Sequence, residues 1–197
     1  MRRRRSYSAS GPRWWLLPAD EEVDLVDEED TVVGAATLRN CLEKGLLHRA
    51  VAVLVLRTNG KVLLQQRSKR DLWHPGLWTL SCTGHVKSGE KYRDAAKREL
   101  DEELGLRSPL RAFTKLLLPP FTSRGLTEWE WVSLFVSKTD RTATTDPIEL
   151  ESVEDVSVPR LRRILPGPRL TPDAKVVLRV FLKSGSRRPG PRRLRSS

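Results

Sequence analysis

Between residues 84 and 106 the chain reads GHVKSGEKYRDAAKRELDEELGL, and no other stretch restricts the fold so tightly. Glu99, Glu102 and Glu103 stand at i, i+3 and i+4, so a helix brings three carboxylates onto one face. Like charges so placed repel by roughly a few tenths of a kcal/mol per pair unless a cation sits among them. Clustered hard oxygen ligands suit Mg²⁺. Ala95, Ala96, Leu100 and Leu104 mark a separate apolar stripe, and Gly105 suits the left-handed position just past a helix end. The spacing predicts a helix from about Glu90 to Leu104 that packs with one side and presents acids with another.

The surrounding chain reads as alternating short elements. Glu22 to Val26 and Thr31 to Ala36 flank the acidic turn Asp27 to Asp30 and predict a hairpin, followed by a short helix from Leu38 to Lys44 closed by Gly45. His48 to Leu56 and Lys61 to Gln66 flank Thr58-Asn59-Gly60, where Asn-Gly supplies the positive φ angles of a tight hairpin. Trp78 to Thr83 predicts a strand leading into the acidic helix. Leu110 to Leu118 and Trp129 to Val136 predict two more, separated by a loop through Pro119, Pro120 and Gly125. Val158-Pro159 starts a helix to about Leu165, and Thr171-Pro172 caps a last one ending near Lys183. The order predicts a mixed α+β fold with one core and no internal repeat.

Charge divides the chain into three parts. Arg2, Arg3, Arg4, Arg5 and Arg13 at one end, with Lys183, Arg187, Arg188, Arg192, Arg193 and Arg195 at the other, account for the whole net charge of +11. Neither end carries an acid, and both are rich in Arg, Ser, Gly and Pro, so residues 1–15 and 184–197 read as disordered basic tails around a domain of residues 16–183 whose charges balance through residue 182. The tails support only non-specific, salt-dependent contact with nucleic acid, because no groove-reading or base-stacking motif accompanies them. The longest apolar run, Ala50 to Leu56, falls far short of the roughly 20 residues that span a bilayer, so no membrane partner is expected. Cys41 and Cys82 lack CxxC spacing, and a reducing, cytoplasmic setting is the default. Residues 1–15 also fit an organellar transit peptide, a reading balanced by the similar character of the other tail.

Gly84, Glu90, Arg98, Glu99, Leu100, Glu102, Glu103, Gly105 and Leu106 together spell G-x5-E-x7-R-E-L-x-E-E-x-G-L. A solvated acidic helix face accounts for three glutamates, but nine fixed positions, each filled by a residue type of ordinary abundance, coincide by chance in fewer than about one window in 10⁸. The pattern is the complete signature of the Nudix hydrolases, and the chain resembles that family. The resemblance implies an α/β/α sandwich with a mixed β-sheet that cleaves a small-molecule diphosphate, of the nucleoside or prenyl class, using Mg²⁺ or Mn²⁺. It further implies that Glu99, Glu102 and Glu103 hold metal, that Gly84 offers its carbonyl, that Arg98 orients the carboxylates, and that Glu90 braces the loop through Arg98.

Outside this box, KGLLHRAVAVLVL, LLQQRS, WTLSCTGH and TEWEW are similar to type 1 isopentenyl diphosphate isomerases, over roughly residues 22 to 138. Those enzymes shift a double bond with a cysteine and a glutamate on opposite sides of the substrate, and use histidines and an E-x-E strand at a second metal site. His48, His85, Glu128 and Glu130 match that second site. Thr83, however, stands where the isomerase cysteine is expected, with Cys82 one place early and so on the opposite face of a strand. An upstream histidine ligand also lacks a counterpart, while the hydrolase box is intact. Both departures favour hydrolysis over isomerisation.

Several residues keep two readings. His48 opens an apolar strand and reads equally as a core histidine, whereas His85 adjoins the box and is expected near the phosphates. Glu128 and Glu130 alternate onto one face with Trp129 and Trp131 on the other, which makes Glu130 a candidate general base or extra metal ligand. Trp73, Pro75, Gly76 and Trp78 wall a substrate pocket or fill the core. Arg67, Lys69 and Arg70 follow the LLQQRS strand where the resemblance suggests contact with the diphosphate; a solvated basic turn fits them as well.

Overall fold

The computed structural model describes residues 21–71, 73–145 and 150–184, so the basic tails lie outside it except for Ser184. Glu22–Val26 (β1) and Val32–Thr37 (β2) form the opening antiparallel hairpin, with Glu22 opposite Thr37. The acidic turn is built by Asp27, whose Oδ1 accepts from the Glu29 and Thr31 amides at 3.0 and 2.8 Å. Thr37 caps Leu38–Lys44 (α1) by accepting from the Asn40 amide, and Gly45 ends it at φ 63°.

His48–Leu56 (β3) is the spine of the molecule, with every residue from Ala50 to Val55 no more than 4% exposed. Ala50, Ala52 and Leu54 face one apolar cluster while Val51, Val53 and Val55 face another, so both sides of the strand are core. Each fully buried Val or Leu contributes about 1.5–3 kcal/mol relative to exposure. The chain returns as Val62–Arg67 (β4) through a turn in which Gly60 takes φ 80° and Asn59 keeps a negative φ, so Asn-Gly does not form the tight pair of positive angles expected. Gly60 instead donates to the Arg57 carbonyl at 3.0 Å.

The strand expected from Trp78 to Thr83 is broken into Trp78–Thr79 (β5), paired with β4, and Cys82–His85 (β6), paired with β3. Ser81 explains the break. Its fully buried hydroxyl accepts from the Val55 amide at 2.8 Å and donates to the Leu63 carbonyl, bridging β3 and β4 where the chain steps between them. Tyr92–Leu104 (α2) follows, beginning slightly later than expected because Glu90 stays in the loop and its carboxylate accepts from the Lys87 amide.

Leu110–Leu117 (β7) runs antiparallel to Glu130–Lys138, with a small hairpin between them where a plain loop was expected. That hairpin pairs Phe121–Ser123 (β8) with Leu126–Glu128 (β9), and its two turn residues, Arg124 and Gly125, have φ 52° and 82°. Positive φ at both central positions matches the twist of paired strands. Glu130–Lys138 (β10) then lies parallel to β3 in continuous register from Glu130 opposite His48 to Lys138 opposite Leu56. Leu150–Val156 (β11), which sequence reading missed, adds to the free side of β4. Val158–Ile164 (α3) and Pro172–Ser184 (α4) complete the described chain.

Two apolar layers sandwich the sheet. On one side Ala95, Ala96, Leu100 and Leu104 of α2 pack on Val51, Val53 and Cys82. On the other, Leu161 of α3 and Ala174, Val177, Leu178 and Leu182 of α4 pack on Ala52, Leu54, Leu64 and Leu134. This is the expected α/β/α sandwich in a single domain with a mixed sheet.

Candidate active site

The loop from β6 to α2 is fixed from below by the first strand. The Ser88 hydroxyl donates to Asp24 at 2.7 Å, its amide donates to the Glu22 carbonyl at 2.8 Å, and Gly89 turns the chain at φ 72°. Arg98 then ties the loop to the helix. Its Nε and Nη2 donate to the two oxygens of Glu90 at 3.1 and 2.8 Å, and Nη2 also donates to the His85 carbonyl at 3.0 Å. Its remaining Nη1 reaches Glu99 at 2.6 Å and Glu102 at 3.3 Å. One guanidinium therefore orders three acids, and the hydrogen bond to Glu90 leads the effects that raise the Arg98 pKa. Burial pushes the Glu99 carboxyl above its ordinary range against the pull of Arg98.

Gly84 is required by close approach. A Cβ built there would lie 2.0 Å from Cδ and 2.3 Å from Oε1 of Glu99, so any side chain would evict that carboxylate.

A cavity of about 860 Å³ gathers most of the expected residues, among them Arg67, Gly84, His85, Arg98, Glu99, Glu102, Glu103, Glu128 and Glu130. Glu90 stands behind it, holding Arg98. Thr83 lines the cavity, whereas Cys82 is fully buried in the cluster beneath α2. Burial, followed by the neighbouring carboxylates of Glu103 and Glu99, pushes the Cys82 thiol well above its ordinary value.

The parallel ladder of β3 and β10 sets His48 beside Glu130, and the β3–β6 ladder sets His85 beside Ala50 on the same sheet face. Glu130 Oε1 lies 3.6 Å from Nε2 of His48 and 3.4 Å from Nε2 of His85. Burial alone would raise Glu130, but the two imidazoles hold it down at about 2. For His85 burial works downward and is outweighed by Glu130, leaving its pKa raised. Glu128 behaves oppositely: burial, then Glu130 and Asp173, push it well above the usual carboxylate range.

The donor set suits a metal. His48 Nδ1 lies 2.9 Å from the Leu46 carbonyl and donates to it, which turns Nε2 towards Glu130, buried and 3.6 Å away, just beyond hydrogen-bond reach. A histidine oriented through one ring nitrogen by a backbone carbonyl is a typical metal ligand through the other. Ligand atoms of His48, His85 and Glu130 all lie within 4.8 Å of one another.

Other expectations divide. Arg67 lines the cavity and is held by Asp71 at 2.8 Å and by the Trp73 carbonyl at 2.7 Å, and Arg70 also lines it. Lys69 does not; it is mostly exposed and pairs with Glu151 at 3.3 Å. Trp73 borders the cavity, while Trp78 packs against the core on the α4 side. Sequence reasoning missed Gln65 and Asp173, both on the lining. A polar residue at an inward position of β4 was a usable signal for Gln65; nothing local pointed to Asp173.

The chain belongs to the NUDIX domain family, whose model matches residues 46–180. Among curated relatives it is similar to isopentenyl-diphosphate Delta-isomerase 2 of Photorhabdus laumondii, 33% identical over 146 residues that cover 74% of this chain and 82% of the relative. It is also similar to isopentenyl-diphosphate Delta-isomerase 1 of Mus musculus, 34% identical over 185 residues that cover 80% and 81% of the two chains. Of solved structures, a Deinococcus radiodurans protein shares the fold with a TM-score of 0.68, 23% identity, and 81% of this chain matched to 98% of that one. An Ap4A hydrolase of C. elegans shares it with a TM-score of 0.53, 22% identity, and coverage of 70% and 97%. Among the described residues no helix is long and apolar enough to cross a membrane.

Proposed function

We propose that the chain is a divalent-metal-dependent hydrolase that cleaves a diphosphate linked to another moiety of the nucleoside or prenyl class. The observation that carries this reading is the split between Thr83, which lines the cavity, and Cys82, which is buried beneath α2. A threonine hydroxyl is a far weaker acid than a thiol, so the cavity lacks the cysteine with which the isomerases move a proton.

In this reading Glu99, Glu102 and Glu103 hold the cation with the Gly84 carbonyl, Arg98 fixes the carboxylates and Glu90 fixes Arg98. Mg²⁺ or Mn²⁺ bound there would neutralise diphosphate oxygens and acidify a bound water. Arg67 and Arg70 supply positive charge for the phosphates. Glu130, held ionised by His48 and His85, is either a further ligand or the base that takes a proton from the attacking water.

A second reading, isopentenyl-diphosphate isomerisation, is favoured by the names of the curated relatives and by the His48, His85 and Glu130 group. One experiment separates the two. The purified chain is incubated with Mg²⁺ and isopentenyl, geranyl and nucleoside di- and triphosphates, following released phosphate and isomerised product together. Phosphate release that falls by orders of magnitude in Glu102→Gln and Glu103→Gln supports hydrolysis. Double-bond migration without phosphate release would establish the isomerase instead.

A further inference from the structure

Gln65 of β4 is 2% exposed and lines the cavity. Its backbone is paired on both sides, with Thr79 of β5 and Val153 of β11, so its Cα is fixed by the sheet. Its side chain crosses to α2, where Nε2 donates to Oε2 of Glu103 at 3.0 Å. The reverse amide orientation would set a carbonyl oxygen against a carboxylate, so chemistry fixes which end faces Glu103. The other end, Oε1, is buried without a hydrogen-bond partner among the described residues. Neighbouring Gln66 gives the contrast: its Nε2 donates to the Gly76 carbonyl and its Oε1 accepts from Ser152, each at 3.0 Å. Buried acceptors left unpaired are destabilising and uncommon, and this one borders the cavity that the acids share.

We propose that Gln65 is a positioning residue for Glu103, and that its Oε1 accepts a hydrogen bond from a water or substrate donor that enters the cavity. The proposal rests on the reading of Glu103 as a metal ligand. Bonding through Oε2 turns the carboxylate to one orientation on the cavity wall. The amide thereby supplies from the sheet what the helix alone does not, a fixed rotamer for a flexible glutamate. Partners of metal ligands typically govern affinity or activity by 10–100-fold when removed.

The test is Gln65→Met, which keeps the length of the side chain and removes both polar ends, with Gln66→Met as a comparison and Glu103→Gln as a control. Mn²⁺ binding to the full chain is measured by titration calorimetry without substrate, beside kcat, KM and a thermal melt. The expected result is Mn²⁺ affinity weakened about tenfold or more in Gln65→Met, with kcat lowered in step and little change in Gln66→Met. Wild-type Mn²⁺ affinity in a folded Gln65→Met chain overturns the proposal, as does a change confined to the melting temperature. Where Gln65→Met does not fold, Gln65→Asn serves, because it retains the amide but is one methylene too short to reach Glu103; wild-type affinity there is equally fatal. A Glu103→Gln chain that binds Mn²⁺ as tightly as wild type defeats the metal reading itself, a result distinct from failure at Gln65 alone.

Discussion

Gly84→Ala isolates the placement of one carboxylate. An added Cβ lies 2.0 Å from Cδ of Glu99, and bringing that contact to an ordinary 3.4 Å requires a shift of about 1.4 Å. The atoms in the way are Cγ, Cδ and Oε1, all in one side chain and none in a backbone, so Glu99 can swing aside while β6 and α2 stay where they are. Once displaced, the carboxylate loses its short contact with Arg98 and its aim into the cavity. A misplacement of about 1 Å in a reacting assembly costs on the order of 10²-fold in rate, or about 2.7 kcal/mol of transition-state stabilisation. The expected outcome is a folded protein with a melting temperature within a few degrees of wild type and kcat on its best diphosphate substrate lowered about 10²-fold. Circular dichroism and phosphate release measure the two separately. Turnover within about threefold of wild type would refute the reasoning, and so would global unfolding, since that would mean the backbone rather than Glu99 had to yield.

Two further outcomes follow from buried polar contacts. Asp30 is nearly enclosed, and although burial raises its pKa, hydrogen bonds from Lys115, Arg49 and Tyr92 outweigh it and hold the carboxyl below the unfolded value of 3.8. Its contribution is therefore complete above the unfolded pKa and fades as pH falls through 3.8 towards the folded value. The stability gap between wild type and Asp30→Asn, followed by urea unfolding from pH 6 to pH 3, should narrow; a gap independent of pH would count against the ion pairs. Ser81→Ala leaves the Val55 amide and the Leu63 carbonyl without their bridge, a loss of about 2 kcal/mol or roughly 4–8 °C in melting temperature. A melt unchanged within a degree would deny the bridge any role.

Legibility in the sequence tracked how local the cause was. α1 was readable because Thr37 and Gly45 punctuate it within a few residues, and β3 because an uninterrupted apolar run must be buried on both faces. The box was readable because its residues serve one another within a loop and a helix. β11 was not: Glu151, Glu154 and Asp155 are poor strand formers, and only pairing with β4 makes them extended. The β8–β9 hairpin, three residues a side, escaped for the same reason, although it delivers Glu128 to the cavity. Gln65 and Asp173 owe their positions to elements distant in sequence. His48 was readable as a histidine in a core strand, but the aim of its Nε2 at Glu130 depends on the Leu46 carbonyl and on β10.

The parallel ladder between β3 and β10 has a consequence in time. His48 and Glu130 are partners in that ladder, yet about half of the described chain lies between them. Local hairpins and helices close quickly, whereas parallel pairing across so long an intervening segment waits for the loop entropy to be overcome. A chain leaving the ribosome or refolding from urea can thus form the box helix well before the imidazoles and Glu130 meet. Capture of a cation by that trio would then report the last stage of assembly, and a ligand held there would stabilise only the finished fold and none of its precursors.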